Sequence, residues 1–149
     1  MNKDVVIAIA EDDAGHVSLI KKNLRRAGIS NEFVDFPDGK AALDFFFRTG
    51  EGPHRKHHTP YLLLLDIRMP KVDGLEVLAK LKDERELKKI PVIMITTTDD
   101  PIEVEKCHQL GCSTYITKPV EYEKFVESIQ QLGLFLKVVQ VPQINGQST

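Results

Sequence analysis

The sequence predicts an α/β fold, a doubly wound parallel sheet of five strands with helices on both faces. Three observations predict it. Short, continuous apolar runs alternate five times with longer segments of helical periodicity. The apolar runs lack the polar alternation of a half-exposed strand, so their strands are buried on both faces, as in parallel sheets. The joints between the two kinds of segment are rich in Asp, Gly and Pro, the residues of caps and turns.

Residues 5–10 (VVIAIA) form the first strand. Asp12 or Asp13 then caps a helix with Val17, Ile20 and Leu24 at helical spacing, ending near Gly28. Residues 31–36 are a short second strand, and after the turn Pro37-Asp38-Gly39 a helix covers 38–48. Residues 50–60 (GEGPHRKHHTP), with two glycines, two prolines and no periodicity, read as an exposed loop. The third strand is 61–65, followed by a Met-Pro turn and a helix over 74–85 with Leu75, Leu78 and Leu81 on one face. The fourth strand is 91–95, and its helix, 102–110, stops at Gly111. A more polar fifth strand, 113–117, runs into Lys118-Pro119, and the last helix starts near Glu121 with Phe125, Val126, Ile129 and Leu132 inward. Right-handed crossovers leave few topologies for five such units, among them the flavodoxin-like strand order 2-1-3-4-5.

Composition excludes several functions. A chain of 149 residues, 42% hydrophobic and 28% charged, fits one globular domain. A net charge of −2 creates no field toward nucleic acid or anionic lipid, and no basic recognition element is present. No apolar run approaches the roughly 20 residues of a membrane helix, and 5–10 is too short for a signal peptide. Cys107 and Cys112 are not in a Cys-x-x-Cys arrangement and read as packed thiols in a reducing compartment. The expectation is a soluble, cytoplasmic protein. No P-loop is present. His54, His57 and His58 lack convergent acids and read as a solvated loop.

In sheets of this order, ligands bind beyond the carboxyl ends of the strands, where the first and third are neighbours. The first strand ends in Glu11, Asp12 and Asp13, and the third, in YLLLLDIRMP, ends in Asp66. The fourth ends in Thr96, Thr97 and Thr98, and the fifth in Lys118. Clustered carboxylates destabilise one another unless neutralised, and Mg²⁺ suits an all-oxygen site. With a lysine, such a site fits a phosphoryl group, which an adjacent carboxylate can attack to form an acyl phosphate. The plainer alternative, acids that only cap helices, stays open for Asp13 and explains Asp66 poorly.

These residues carry a resemblance. Glu11-Asp12, Asp66, Met69-Pro70, Asp73-Gly74, Thr96, Tyr115 and Lys118-Pro119 fall in the order and spacing of a response regulator receiver domain of bacterial two-component systems. The resemblance covers about residues 4–132 and implies the roles. Asp66 is the phosphoacceptor. Mg²⁺ is bound by Asp12, Asp66, the Arg68 backbone carbonyl and, through water, Glu11. Lys118 pairs with the phosphoryl group, and Lys118-Pro119 is cis. Thr96 and Tyr115 form the switch pair, which biases the surface of the fourth helix, fifth strand and fifth helix. A sensor histidine kinase is the implied phosphodonor, an unknown protein the downstream target, and catalysis is limited to self-phosphorylation and autophosphatase activity.

Three positions depart from the common pattern. Glu11 stands where Asp is frequent, Arg68 puts a long cation at the pocket mouth, and Thr97 follows the switch threonine where a smaller residue is usual. The receiver domain is assigned to 1–132, and the tail 133–149 is a C-terminal extension too short for an effector domain. The long loop before the third strand and the tail's LFLKVVQVP are similar to single-domain regulators paired with cyanobacterial and bacterial phytochromes, which implies a light-sensing kinase as one phosphodonor. Leu134, Phe135, Leu136, Val138, Val139 and Val141 either continue the last helix onto their own domain or form a homodimer contact, the reading favoured here. Tyr115 as plain core is the simpler alternative to a switch role. The alternative function is a Mg²⁺-dependent phosphohydrolase with an aspartyl nucleophile. Those of the haloacid dehalogenase type carry a second Asp two residues on, where this chain has Arg68. A flavin-binding protein would need a phosphate loop where EDDAGH would repel phosphate.

Overall fold

The structure, a computed structural model, describes residues 1–145. Five parallel strands, β1 (Val6–Ala10), β2 (Phe33–Phe36), β3 (Thr59–Leu65), β4 (Val92–Thr96) and β5 (Thr114–Thr117), lie in the order 2-1-3-4-5. Five helices connect and follow them: α1 (Ala14–Arg26), α2 (Gly39–Phe47), α3 (Gly74–Lys82), α4 (Pro101–Leu110) and α5 (Tyr122–Leu136). The flavodoxin-like order expected from the sequence is therefore the observed one, with several element ends coinciding and others shifted by up to three residues.

Strand alternation sorts the core into two layers. Val6, Ala8, Ala10, Leu63 and Leu65 pack with Phe45 and Phe46 of α2, Leu78 and Leu81 of α3 and Cys107 of α4. Ile7, Ile9, Leu62 and Leu64 pack on the opposite face with Ile20 and Leu24 of α1 and Ile129 and Leu132 of α5. Cys107 is the sole buried residue of α4, so this helix is the least anchored of the five. α1 and α5 touch closely because Gly133 has no side chain: a Cβ there would sit 2.5 Å from the Ala27 Cβ.

Three local expectations are corrected. Residues 50–60 are not wholly an exposed loop. Thr59 and Pro60 belong to β3, and Arg55 is only 3% exposed, with Nε donating to the Phe46 carbonyl at 2.8 Å. A sixth strand, β6 (Gln143–Ile144), pairs antiparallel with Thr59 and Pro60 at the end of β3 remote from Asp66. Asn145 completes this latch: its carbonyl accepts from Arg55 Nη1 at 2.9 Å, and its N–H donates to Glu86 Oε1 at 2.9 Å. The Lys118-Pro119 peptide is trans, not cis. For an X–Pro bond the isomers differ by only about 0.5–1 kcal/mol, so surrounding packing decides, which the dipeptide does not reveal.

α5 runs on past residue 132 to Leu136, which is fully buried, and Ile144 is fully buried as well. Leu134, Phe135 and Val138 stay largely exposed. No helix among the described residues is long and apolar enough to cross a membrane.

Candidate functional site

Register alone gathers the site. Ala10 lies beside Leu65 in the β1–β3 ladder, and the Asp66 N–H donates to the Ala10 carbonyl at 3.0 Å, so Glu11 and Asp66 leave the sheet side by side. Thr96 pairs with Thr117 in the β4–β5 ladder, and the Lys118 N–H donates to the Thr96 carbonyl at 2.6 Å. Four strands thus end on one crevice. The loop after Asp66 is held by Gly74, whose N–H donates to the Ile67 carbonyl at 2.8 Å. A Cβ at Gly74 would stand 2.0 Å from the Asp66 carbonyl oxygen, so only glycine admits this approach.

Inside the crevice Asp66 is 7% exposed, Lys118 5% and Glu11 4%. Lys118 Nζ donates to Asp66 Oδ2 at 3.1 Å and to Glu11 Oε1 in a still closer contact. The ammonium group is the counter-charge that lets two carboxylates share a buried site. Burial pushes the Glu11 carboxyl up to about 7; the Lys118 hydrogen bond opposes this and the charge of Asp66 adds to it. Asp12 is exposed at the rim, and one oxygen each from Glu11, Asp12 and Asp66 lie within 4.8 Å of one another. Asp13 caps α1, accepting from Gly15 N at 2.9 Å and His16 N at 3.2 Å, so for this acid the capping reading holds.

Two buried oxygens at this edge have no hydrogen-bond partner among the described residues: Asp66 Oδ1 and Thr96 Oγ1. A buried polar atom left unpaired costs about 1–3 kcal/mol, so both are poised for an external group. An all-oxygen donor set with an unfilled carboxylate oxygen fits a hard divalent cation such as Mg²⁺. The Tyr115 hydroxyl donates to the Thr98 carbonyl at 2.7 Å, and burial of the ring pushes its phenol up to about 12.

Residues 7–130 match the response regulator receiver domain family. The chain belongs to this family. Response regulator Rcp1 of Synechocystis sp. is 33% identical over 142 residues, 95% of each chain. The Mn(2+)-bound form of Rcp1 superposes with a TM-score of 0.82 at 32% identity, covering 92% of this chain and 98% of that one. A receiver domain from Rhodospirillum rubrum superposes with a TM-score of 0.88 at 43% identity, over 95% and 99% of the two chains. The phosphorylated cyanobacterial phytochrome response regulator RcpA gives 0.81 at 29% identity, over 92% and 97%. A phytochrome response regulator is therefore among the structural neighbours of this receiver.

The receiver brings Glu11, Asp12, Asp66, Thr96 and Lys118 to one crevice, with Tyr115 beside it on β5. The Arg68 side chain is exposed, and its Nη2 lies 3.2 Å from Glu103 Oε1 on α4. An exposed guanidinium goes to the nearest unsatisfied carboxylate, which sequence separation conceals. Sequence reasoning missed His16. Its Nδ1 lies 3.1 Å from Lys118 Nζ, and its ring packs edge-on to Phe125 at 5.7 Å. The available signal was position: a residue three after the Asp13 cap lies in the first turn of α1, above the crevice.

Proposed function

We propose that this receiver is a cytoplasmic phosphorylation switch that takes a phosphoryl group on Asp66 from a sensor histidine kinase. The observation that carries the reading is the buried Asp66–Lys118–Glu11 cluster with two unpartnered oxygens, Asp66 Oδ1 and Thr96 Oγ1, at the same edge. An Asp66 oxygen attacks phosphorus. The O–P bond forms as the P–N bond to the kinase histidine breaks, and the departing nitrogen keeps the electron pair and takes a proton from water. Asp12, Asp66, the Arg68 backbone carbonyl and, through water, Glu11 would hold Mg²⁺, which would supply charge neutralisation to the phosphoryl oxygens. Lys118 turns its ammonium to one phosphoryl oxygen, and the Thr96 hydroxyl donates to another. Drawing Thr96 inward opens space for the Tyr115 ring, which exchanges its bond to Thr98 for a more buried position. The response spreads to α4, β5 and α5, a two-state change biased by the new contacts. The weak anchoring of α4 and the exposure of Ile102 and Tyr122 suit a surface read by a downstream protein. Catalysis is confined to self-phosphorylation and autophosphatase activity.

Similarity to phytochrome response regulators supports a light-sensing kinase as the phosphodonor. The exposed Leu134, Phe135 and Val138 support a homodimer, tested by light scattering with and without phosphorylation. The central test is incubation with acetyl phosphate and Mg²⁺ followed by intact mass measurement. One added phosphoryl group, absent in Asp66→Asn, is expected. Rapid multiple turnover on organic phosphates with no adduct would overturn the reading in favour of a phosphohydrolase.

A further inference from the structure

An ammonium group has three N–H donors. In this crevice each meets an acceptor: Glu11 Oε1, Asp66 Oδ2 at 3.1 Å and His16 Nδ1 at 3.1 Å. The first two acceptors are the acids of the site. The third belongs to α1, and no role has yet been given to it. We propose that His16 is a positioning residue for Lys118, the neutral third acceptor that keeps the ammonium group aimed at Asp66.

The proposal rests on the phosphoacceptor reading and adds a residue to it. Acceptance at Nδ1 puts the ring proton on Nε2, the nitrogen 3.6 Å from Asp13 Oδ2. The ring is seated from two other sides. Its backbone N–H is tied to Asp13 Oδ1 at 3.2 Å, and its edge packs on Phe125 in the first turn of α5. The Nδ1 position is therefore set by α1 and α5 together, independently of Asp66. That independence matters when Asp66 is esterified. One of the two charged acceptors of Lys118 then changes its chemistry, and the bond to His16 remains to limit the swing of a side chain with four rotatable bonds.

Residue type is part of the argument. A carboxylate at this place would also hold Lys118, but would add another negative charge beside Glu11, Asp66 and an incoming phosphoryl group. An imidazole accepts the hydrogen bond without that repulsion. Serine or alanine would not reach. Among the described groups that meet Lys118 Nζ, His16 alone is not a carboxyl group.

The test separates the hydrogen bond from the packing. Asn in place of His puts an acceptor oxygen where Nδ1 stood and gives up the ring contact with Phe125. Leu keeps apolar bulk and has no acceptor. Rates of adduct formation with acetyl phosphate and Mg²⁺ are read by intact mass for the wild type, His16→Leu and His16→Asn. The same pair of measurements is made in a Lys118→Ala background. His16→Leu is expected to slow adduct formation about tenfold, the effect of one charge-assisted hydrogen bond, and His16→Asn to recover most of the rate. In the Lys118→Ala background His16→Leu is expected to add nothing, because its effect passes through Lys118. An unchanged rate in His16→Leu, a greater loss in Asn than in Leu, or an equal loss with and without Lys118 would each overturn the inference. Failure of the wild type itself to form an adduct overturns the phosphoacceptor reading and this inference together. A normal wild-type adduct with an indifferent His16→Leu overturns this inference alone.

Discussion

Replacing Lys118 by Met removes a charge and keeps the stem. Lys118 Nζ sits 3.1 Å from Asp66 Oδ2 and closer still to Glu11 Oε1, with all three residues no more than 7% exposed. At an effective dielectric of about 20, one such contact is worth roughly 5 kcal/mol before desolvation is set against it. Breaking a buried pair by removing one partner costs about 3–5 kcal/mol, because the remaining charge stays buried. Here two carboxylates remain. Glu11, already pushed up to about 7 by burial, loses the opposing pull of Lys118 and moves higher, so it gains a proton that softens the loss. A carboxyl whose folded-state pKa lies above its unfolded value favours the fold when protonated. Its contribution therefore declines as pH rises from the ordinary 4.5, and in the variant this decline continues above 7. The expected penalty is about 3 kcal/mol near pH 8, narrowing below pH 7. For a chain of this size that is a fall of roughly 8 °C in melting temperature. Circular dichroism melts in EDTA measure it. Excess Mg²⁺ should return much of the loss, since a cation among the same carboxylates replaces the missing charge. A fall under about 2 °C, or no recovery with Mg²⁺, would refute the view that Lys118 is the counter-charge of this site.

Three other outcomes are expected. Ile144→Ala empties a fully buried seat beside β3 and should cost about 2–5 kcal/mol in urea unfolding, where a surface residue would cost almost nothing. Gly74→Ala forces a Cβ to within 2.0 Å of the Asp66 carbonyl oxygen; unfolding free energy should drop by about 1–3 kcal/mol and adduct formation should slow, as intact mass reports. Ultraviolet difference titration of wild type against Tyr115→Phe should show a phenolate appearing near pH 12 and not near 10. Because that folded-state value is raised, the stability Tyr115 contributes is whole below pH 10 and is lost as pH rises through 12.

The acceptor edge was legible because it depends on where strands end. Continuous apolar runs mark buried strands, and the first polar residue after each must emerge at the crevice, which located Glu11, Asp66 and Lys118 without any contact being known. Thr96 closes its strand by the same logic. What stayed hidden depends on contacts between residues distant in sequence. Arg55 reads as a loop cation until the Phe46 and Asn145 carbonyls are seen around it. Gln143 and Ile144 are too few to show a period, so β6 is defined by its partner strand. Arg68 swings to Glu103, 35 residues away, and His16 meets Lys118 across 102.

The latch at the far end of β3 bears on the order in which the molecule assembles. Arg55 waits for an acceptor 90 residues downstream, and the exposed rim of Thr59 and Pro60 waits equally for β6. Loop closure over such a span is entropically slow to reward, and chains are synthesised at about 5–20 residues per second. On the ribosome, the central strand therefore spends several seconds with its lower rim unpaired. The phosphoacceptor pole is complete once α5 has brought Phe125 against His16; the opposite pole seals last. A pause in translation between the two would leave a molecule with an intact crevice and an open strand edge, the species from which aggregation starts.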